Sequence, residues 1–229
     1  MKIKNRYTAF LAHLLISLGI LACLLFIIFF FWFPRDFIYA GGMHGLKILT
    51  GVDLVLGPLL TLVVFNPKKK SLRFDLSAIA VFQMTCMAIG LWLIYEQRPL
   101  VQLFGLQGIH IVSAYDFKEY DVKQDGVKAL PGAYPKYAVL DVKKVLSAGE
   151  KPYYLRTEDF LTATDLSEEK YQLRLGYIKS QLLEKQKKQI ESLAVHDDCT
   201  WVPVSSSHLI GYACINRENG AIKLKKVED

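Results

Sequence analysis

Three long apolar runs, separated by short polar links, occupy the chain as far as Tyr95, after which the pattern changes to mixed polar and apolar. Between Arg6 and Arg35 there is no Asp, Glu, Lys or Arg, and residues 14–33 are almost uniformly apolar. Roughly 20 such residues in a helix cross the ~30 Å hydrocarbon layer of a bilayer, which predicts a first span over about 9–33. The run 46–65 predicts a second span over about 44–65, with Lys47 near one end and Asp53 near the middle. Residues 76–95, bounded by Asp75 and Glu96 with no formal charge between, predict a third. A cleaved signal peptide competes for the first run, because Lys2, Lys4 and Arg6 make a basic front end. Its apolar core is too long for that, and the small-residue site near Ala40 and Gly42 is poor, so a retained helix is preferred.

After Tyr95 the pattern is that of a small α+β domain, residues 96–229. Residues 109–114, 138–142 and 201–205 read as short strands, rich in β-branched or aromatic residues and bounded by turn formers. Residues 211–215 and 221–225 flank 216–220 as a hairpin with a longer loop. One long helix is expected over about 165–195, because Tyr171, Leu175, Ile178 and Leu182 step at the period of one buried face. Asp165 or Ser167 is its expected cap, with Glu168 and Glu169 in the first turn, where the helix dipole favours negative charge. Lys185, Lys187 and Lys188 read as a solvated face. The region 105–163 reads as a small sheet with long connections.

Charge sharpens this division. The chain is 52% hydrophobic with a net charge of +6, and the whole excess lies in residues 1–95, which hold 9 basic and 3 acidic side chains. Residues 96–229 hold 19 of each. This excludes a single soluble enzyme, and it leaves no basic soluble face for a nucleic acid. Lys2, Lys4 and Arg6 precede the first span, and Lys68, Lys69, Lys70 and Arg73 lie between the second and third. Both segments are therefore assigned to the cytoplasmic side, with Lys68, Lys69, Lys70 and Arg73 as the cytoplasmic anchor. Three crossings then place the domain outside, in a bacterium the periplasm of a multi-pass inner-membrane protein with a cytoplasmic N-terminus.

Cys23 and Cys86 fall inside spans, whereas Cys199 and Cys214 fall in the domain. In an oxidising compartment the latter two are expected to form a disulfide, worth about 3 kcal/mol in the loop-entropy model; the alternative is two separate buried thiols. A search for catalytic chemistry is otherwise unproductive. No phosphate loop, G-x-S-x-G elbow, H-E-x-x-H or C-x-x-C occurs. His196, Asp197 and Asp198, with His208, are the nearest approach to a metal cluster, but an ordinary polar loop is the preferred reading. Ser205, Ser206, Ser207 and His208 are adjacent in sequence, which is not the geometry that activates a nucleophile. No catalytic residue, metal ligand or cofactor is assigned.

The second span carries the informative residues. Gly51, Asp53, Gly57 and Pro58 lie in one apolar helix. Glycine admits a close neighbouring helix, and proline removes a backbone hydrogen bond. A central Asp costs about 2.5–3.5 kcal/mol, against about 4–8 kcal/mol returned by the Leu, Ile, Phe and Val of the run, so the span inserts. Such an acid must face protein, be protonated or find a partner. His13, Gln83 and Thr85 are the polar candidates in the other spans, with His13 placed close to the cytoplasmic surface. With one intramembrane acid visible, packing and partner docking through Gly51, Asp53, Gly57 and Pro58 is preferred over proton handling or transport.

The stretch Gly51-Val-Asp-Leu-Val-Leu-Gly-Pro-Leu-Leu-Thr-Leu-Val-Val-Phe65, followed by Asn66-Pro-Lys-Lys-Lys-Ser-Leu-Arg-Phe-Asp-Leu76, resembles the type IV pilin accessory proteins of the TfpX/TfpZ type. The resemblance covers roughly residues 5–100. It implies a non-enzymatic inner-membrane factor for pilus biogenesis, assisting the stability or assembly of a cognate pilin. Its expected partners are the membrane-anchored pilin, inner-membrane pilus assembly proteins and the lipid bilayer. The alternatives are a pilin-modifying membrane enzyme, such as a glycosyltransferase, and an envelope sensor or regulator. Three spans and the absence of an Asp-x-Asp motif count against the first. Against the second counts the lack of a cytoplasmic output domain.

Overall fold

A computed structural model describes residues 5–145, 152–194 and 199–227. Two compact units divide the chain: Met1–Pro34 with Gly42–Tyr95, and Arg35–Gly41 with Glu96–Asp229. The first is built from three helices, α1 (Arg6–Trp32), α2 (Gly42–Val64) and α3 (Leu72–Glu96). Their most apolar windows are only 17%, 28% and 17% buried within the protein, so most of their apolar surface faces outward, as lipid-facing helices require. Asn5 caps α1 by accepting a hydrogen bond from the Thr8 amide at 2.8 Å. At the other end of α1, Trp32 meets Tyr95 of α3 edge-to-face at 5.0 Å, an aromatic pair of the kind that marks a membrane–water interface.

Helix α2 is not uniform. Pro58 has no amide to offer the Leu54 carbonyl, and its ring crowds that group, so the turn before it widens. Residues Val52–Leu56 form a π-helical turn closed by the Gly57 amide on the Val52 carbonyl. Helices α2 and α3 run antiparallel in close register. A β-carbon on Gly45 would lie 2.5 Å from Ile94, and one on Gly57 would lie 1.8 Å from the Gln83 amide nitrogen. Both glycines are needed for that approach. In the link that follows, Lys69 pairs with Asp75 at 2.6 Å.

The second unit carries a mixed seven-stranded sheet: β1 (Pro99–Phe104), β2 (Ile109–Ser113), β3 (Lys136–Leu140), β4 (Phe160–Leu161), β5 (Thr200–Ser205), β6 (Ile210–Asn216) and β7 (Gly220–Lys226), in the order β4-β3-β1-β2-β5-β6-β7. Pairing is parallel at β1–β3 and β2–β5 and antiparallel elsewhere. The sheet curls until β7 returns toward β1. There Gln102 Oε1 accepts from the Ala221 amide at 2.6 Å while its Nε2 donates to the Pro135 carbonyl at 3.2 Å. Leu100, Leu103, Val112, Phe117, Leu140 and Leu155 form the main core.

Strand β1 was not anticipated. Its six residues are all buried, so it shows no alternation, and it follows the third span almost without a break. The single long helix expected over 165–195 is instead two, α4 (Glu168–Gln181) and α5 (Glu184–Ala194). Leu182 takes an extended conformation (ψ 136°) between them. Each helix covers a different part of the sheet: Tyr171, Leu175 and Ile178 are buried in α4, while Ile190 and Leu193 of α5 pack on Trp201, Tyr212 and Cys214. One straight rod could not cover both surfaces of a curled sheet. Ser167 caps α4, whereas Asp165 belongs to the preceding turn, where it accepts from the Thr162 amide at 2.8 Å.

The link between α1 and α2 is part of the second unit. Phe37 and Ile38 are buried in it, Arg35 donates to the Ala221 carbonyl, and Asp36 accepts from the Leu224 amide, both at 3.4 Å. These bonds cover the free edge of β7, which would otherwise present unpaired backbone groups. Cys199 and Cys214 are joined as a disulfide, with α-carbons 5.6 Å apart.

Candidate functional site

The helical unit concentrates its polar groups in one place. Asp53 lies eleven residues from either end of α2, at mid-span by residue count, and only 6% of its surface is exposed. Gln83, at the middle of α3, is likewise buried, as are Ser17 of α1 and Thr61 of α2. Gly57 gives Gln83 its position, since any side chain there would occupy the space of the amide. The Thr61 hydroxyl donates to the Gly57 carbonyl at 3.1 Å, one turn back. Its single proton is thereby used, so the 2.6 Å contact with His13 Nδ1 has the imidazole as donor and Thr61 as acceptor.

His13, Ser17, Asp53 and Gln83 line a cavity of about 220 Å³, walled on its apolar side by Ile16 and Met84 among others. Asp53 Oδ2 is buried there without a hydrogen-bond partner. A carboxyl oxygen in that condition retains the full cost of its lost hydration, so it is the natural attachment point for a donor from outside.

The expectation that His13 lies too close to the cytoplasmic surface to matter is corrected: it lines the Asp53 cavity. Because α1 and α2 are antiparallel, the early part of α1 meets the late part of α2, a juxtaposition that no spacing within one span reveals. Thr85, the other candidate, is exposed and satisfied within its own helix by the Val81 carbonyl at 2.9 Å. Gly51 has nothing within 4 Å of the position of a β-carbon. Of these four residues Asp53, Gly57 and Pro58 are buried, Asp53 lines the cavity, and Gly51 is exposed. Lys68, Lys69 and Lys70, expected as a cytoplasmic anchor, are exposed in the α2–α3 link, with Arg73 in the first turn of α3.

In the second unit, Ser205 and His110 are register neighbours on β5 and β2, with Oγ and Nδ1 3.0 Å apart. Burial holds the His110 pKa below its ordinary value, against the opposing field of Asp116. No carboxylate among the described residues hydrogen-bonds that ring. Asp116 is held by Ser113 in a capping box and by Ser207 at 2.8 Å. The pair is therefore a cross-strand contact without the orienting acid of a catalytic triad. His196, Asp197 and Asp198 lie outside the described residues, and among the described residues no three His, Cys, Asp or Glu gather as a metal site. An apolar groove of about 350 Å³ runs between α4 and the β3–β4 edge, with exposed Leu173 and Tyr177 on its rim.

Comparison with known proteins gives three relatives from Dichelobacter nodosus. The chain is 38% identical over 109 residues to a fimbrial assembly protein of serogroups C1 and C2, spanning 45% of this chain and 82% of that protein. It is 34% identical over 128 residues to the fimbrial assembly protein of serogroup I and 33% identical over 130 residues to that of serogroup E1. Each of those two matches spans 55% of this chain and 47% of the relative. No family model matches the chain, and no solved structure matches it.

Proposed function

The chain belongs to the family of fimbrial assembly proteins, and from that premise we propose that it works in type IV pilus biogenesis as a non-enzymatic accessory factor of the TfpX/TfpZ type. In this reading it binds its cognate pilin while that subunit is still anchored in the inner membrane, and it supports the subunit's stability or delivery to the assembly machinery. The similarity to a fimbrial assembly protein, covering 82% of that relative, carries the proposal.

The structure supports a particular topology for this role. The α1–α2 link and the sheet domain form one unit, so they lie on one side of the bilayer, and α2 with α3 returns the chain to that side. Lys68, Lys69 and Lys70 in the α2–α3 link then favour the cytoplasm for the opposite side, with the N-terminus. The domain is accordingly periplasmic, where the Cys199–Cys214 disulfide persists. A bundle within the membrane and a domain outside it can engage both the anchoring helix and the exported head of a pilin.

Deletion of the gene, scored for surface pili, pilin level and pilin mass together, tests this reading. Loss of pili with pilin mass unchanged is the expected outcome. A shift in pilin mass would replace it with a pilin-modifying enzyme, and unchanged pili would overturn it.

A further inference from the structure

We propose that the cavity floored by Asp53 is the seat of the pilin's membrane helix, and that one hydrogen-bond-donating side chain of that helix enters between α1 and α3 to bond Asp53 Oδ2. This rests on the accessory-factor reading above and gives it a place and a chemistry. Two observations carry it. The first is the acid itself: Asp53 is 6% exposed, its Oδ2 has no partner, and Ser17 and Gln83 stand in the same wall. A carboxyl oxygen kept in the middle of a span without a hydrogen bond is costly in lipid, even with His13 lining the same cavity, and a donor from a neighbouring helix removes that cost.

The second observation is shape. The cavity holds about 220 Å³, on the order of seven waters by volume, which suits one long side chain. Its wall runs from buried Asp53 and Gln83 out to Ile16 and Met84, which are 63% and 64% exposed. That mouth opens on the lipid-facing surface. A soluble ligand has no route to it, acyl chains carry no donor, and lipid headgroups lie ~15 Å away at the edge of a ~30 Å hydrocarbon layer. A helix that diffuses in the membrane and carries a donor at mid-depth satisfies all three conditions.

The test places a photo-crosslinking residue at Ile16, at Met84 and, as a control, at Val63 of α2, in the full-length protein made together with its cognate pilin. Adducts are detected with a pilin-specific antibody. Pilin adducts are expected from positions 16 and 84 and little from 63. Asp53→Leu is expected to reduce them about tenfold, and Asp53→Asn, which keeps a carbonyl acceptor in place, to leave them within about twofold. Met84→Trp, which narrows the mouth, should lower the adducts from position 16 as well, with membrane levels of each variant measured alongside. Pilin adducts indifferent to Asp53→Leu would overturn the proposal. Adducts at 16 and 84 to lipid alone, or to a second copy of this chain, would do the same. If deletion abolishes pili while pilin crosslinks only to the domain, the accessory reading stands and this site falls. If deletion leaves pili unchanged, the accessory reading itself falls.

Discussion

The two units of this protein treat buried charge in opposite ways. In the sheet domain each buried charged side chain among the described residues has a partner. Arg174 donates to the carbonyls of Phe104 and Leu140 at 2.6 and 2.9 Å, closing the ends of β1 and β3. Lys136 donates to the carbonyls of Lys128 and Leu130, Asp116 accepts from Ser113 and Ser207, and Asp159 pairs with Arg156. Among the buried groups of the domain without a hydrogen bond, Tyr137 Oη and Trp201 Nε1 are neutral, and Arg156 Nε still has the Asp159 carboxylate 3.3 Å away as its ion-pair partner. In the helical unit Asp53 keeps one carboxyl oxygen unpartnered, in the medium where that costs most. Polar groups in the domain hold the fold together. The unpartnered oxygen in the bundle does not, which leaves it for a binding event.

The contrast is sharpened first by Arg174→Met. Two buried carbonyls would lose charge-assisted bonds worth about 1.5–3 kcal/mol each, so unfolding of the domain, followed through Trp201 fluorescence in denaturant, should shift by about 3–6 kcal/mol. Asp53→Leu should have the opposite sign, stabilising the bundle by up to about 3 kcal/mol in a thermal or denaturant melt in detergent, because it removes an acid from mid-span. Gly57→Val should cost about 1–3 kcal/mol through overpacking against Gln83, read in the same melt. A marked loss of stability in Asp53→Leu would erase the difference between the units.

The smallest effect is a pH dependence in the domain. Burial lowers the His110 pKa in the folded state, so the native ring prefers to be neutral while the unfolded chain takes up a proton at about 6.5. Stability is therefore complete above that value and is lost as pH falls from about 6.5 toward the lowered native pKa. His110→Phe should flatten this slope in melts compared between pH 7.5 and about 5.5.

How far each unit could be read in advance follows the same division. Three long apolar runs, two of them free of charge, announced three membrane helices, because the bilayer imposes length and composition residue by residue. Asp53 stood out for the same reason. Its surroundings did not, since the meeting of His13 with Thr61 and of Gln83 with Gly57 depends on the register between helices. In the domain, β5 and β6 were legible from their β-branched and aromatic residues and the turn formers around them, whereas β1 follows the third span almost without a break and so has no such boundary to mark it. The break after Gln181 was hidden because Leu182 continues the apolar stripe, and only the curl of the sheet makes two helices necessary. The packing of Phe37 and Ile38 into the domain was equally unmarked, because a short link between two spans reads simply as a loop.

The central claim is that Asp53 Oδ2 is held without a hydrogen bond for the pilin. Its most direct test is the amount of pilin that copurifies with Asp53→Leu protein from membranes containing equal amounts of folded wild-type and variant chains. The account predicts about a tenfold loss of pilin, the scale of one interhelical hydrogen bond. Recovery of pilin at the wild-type level would contradict it.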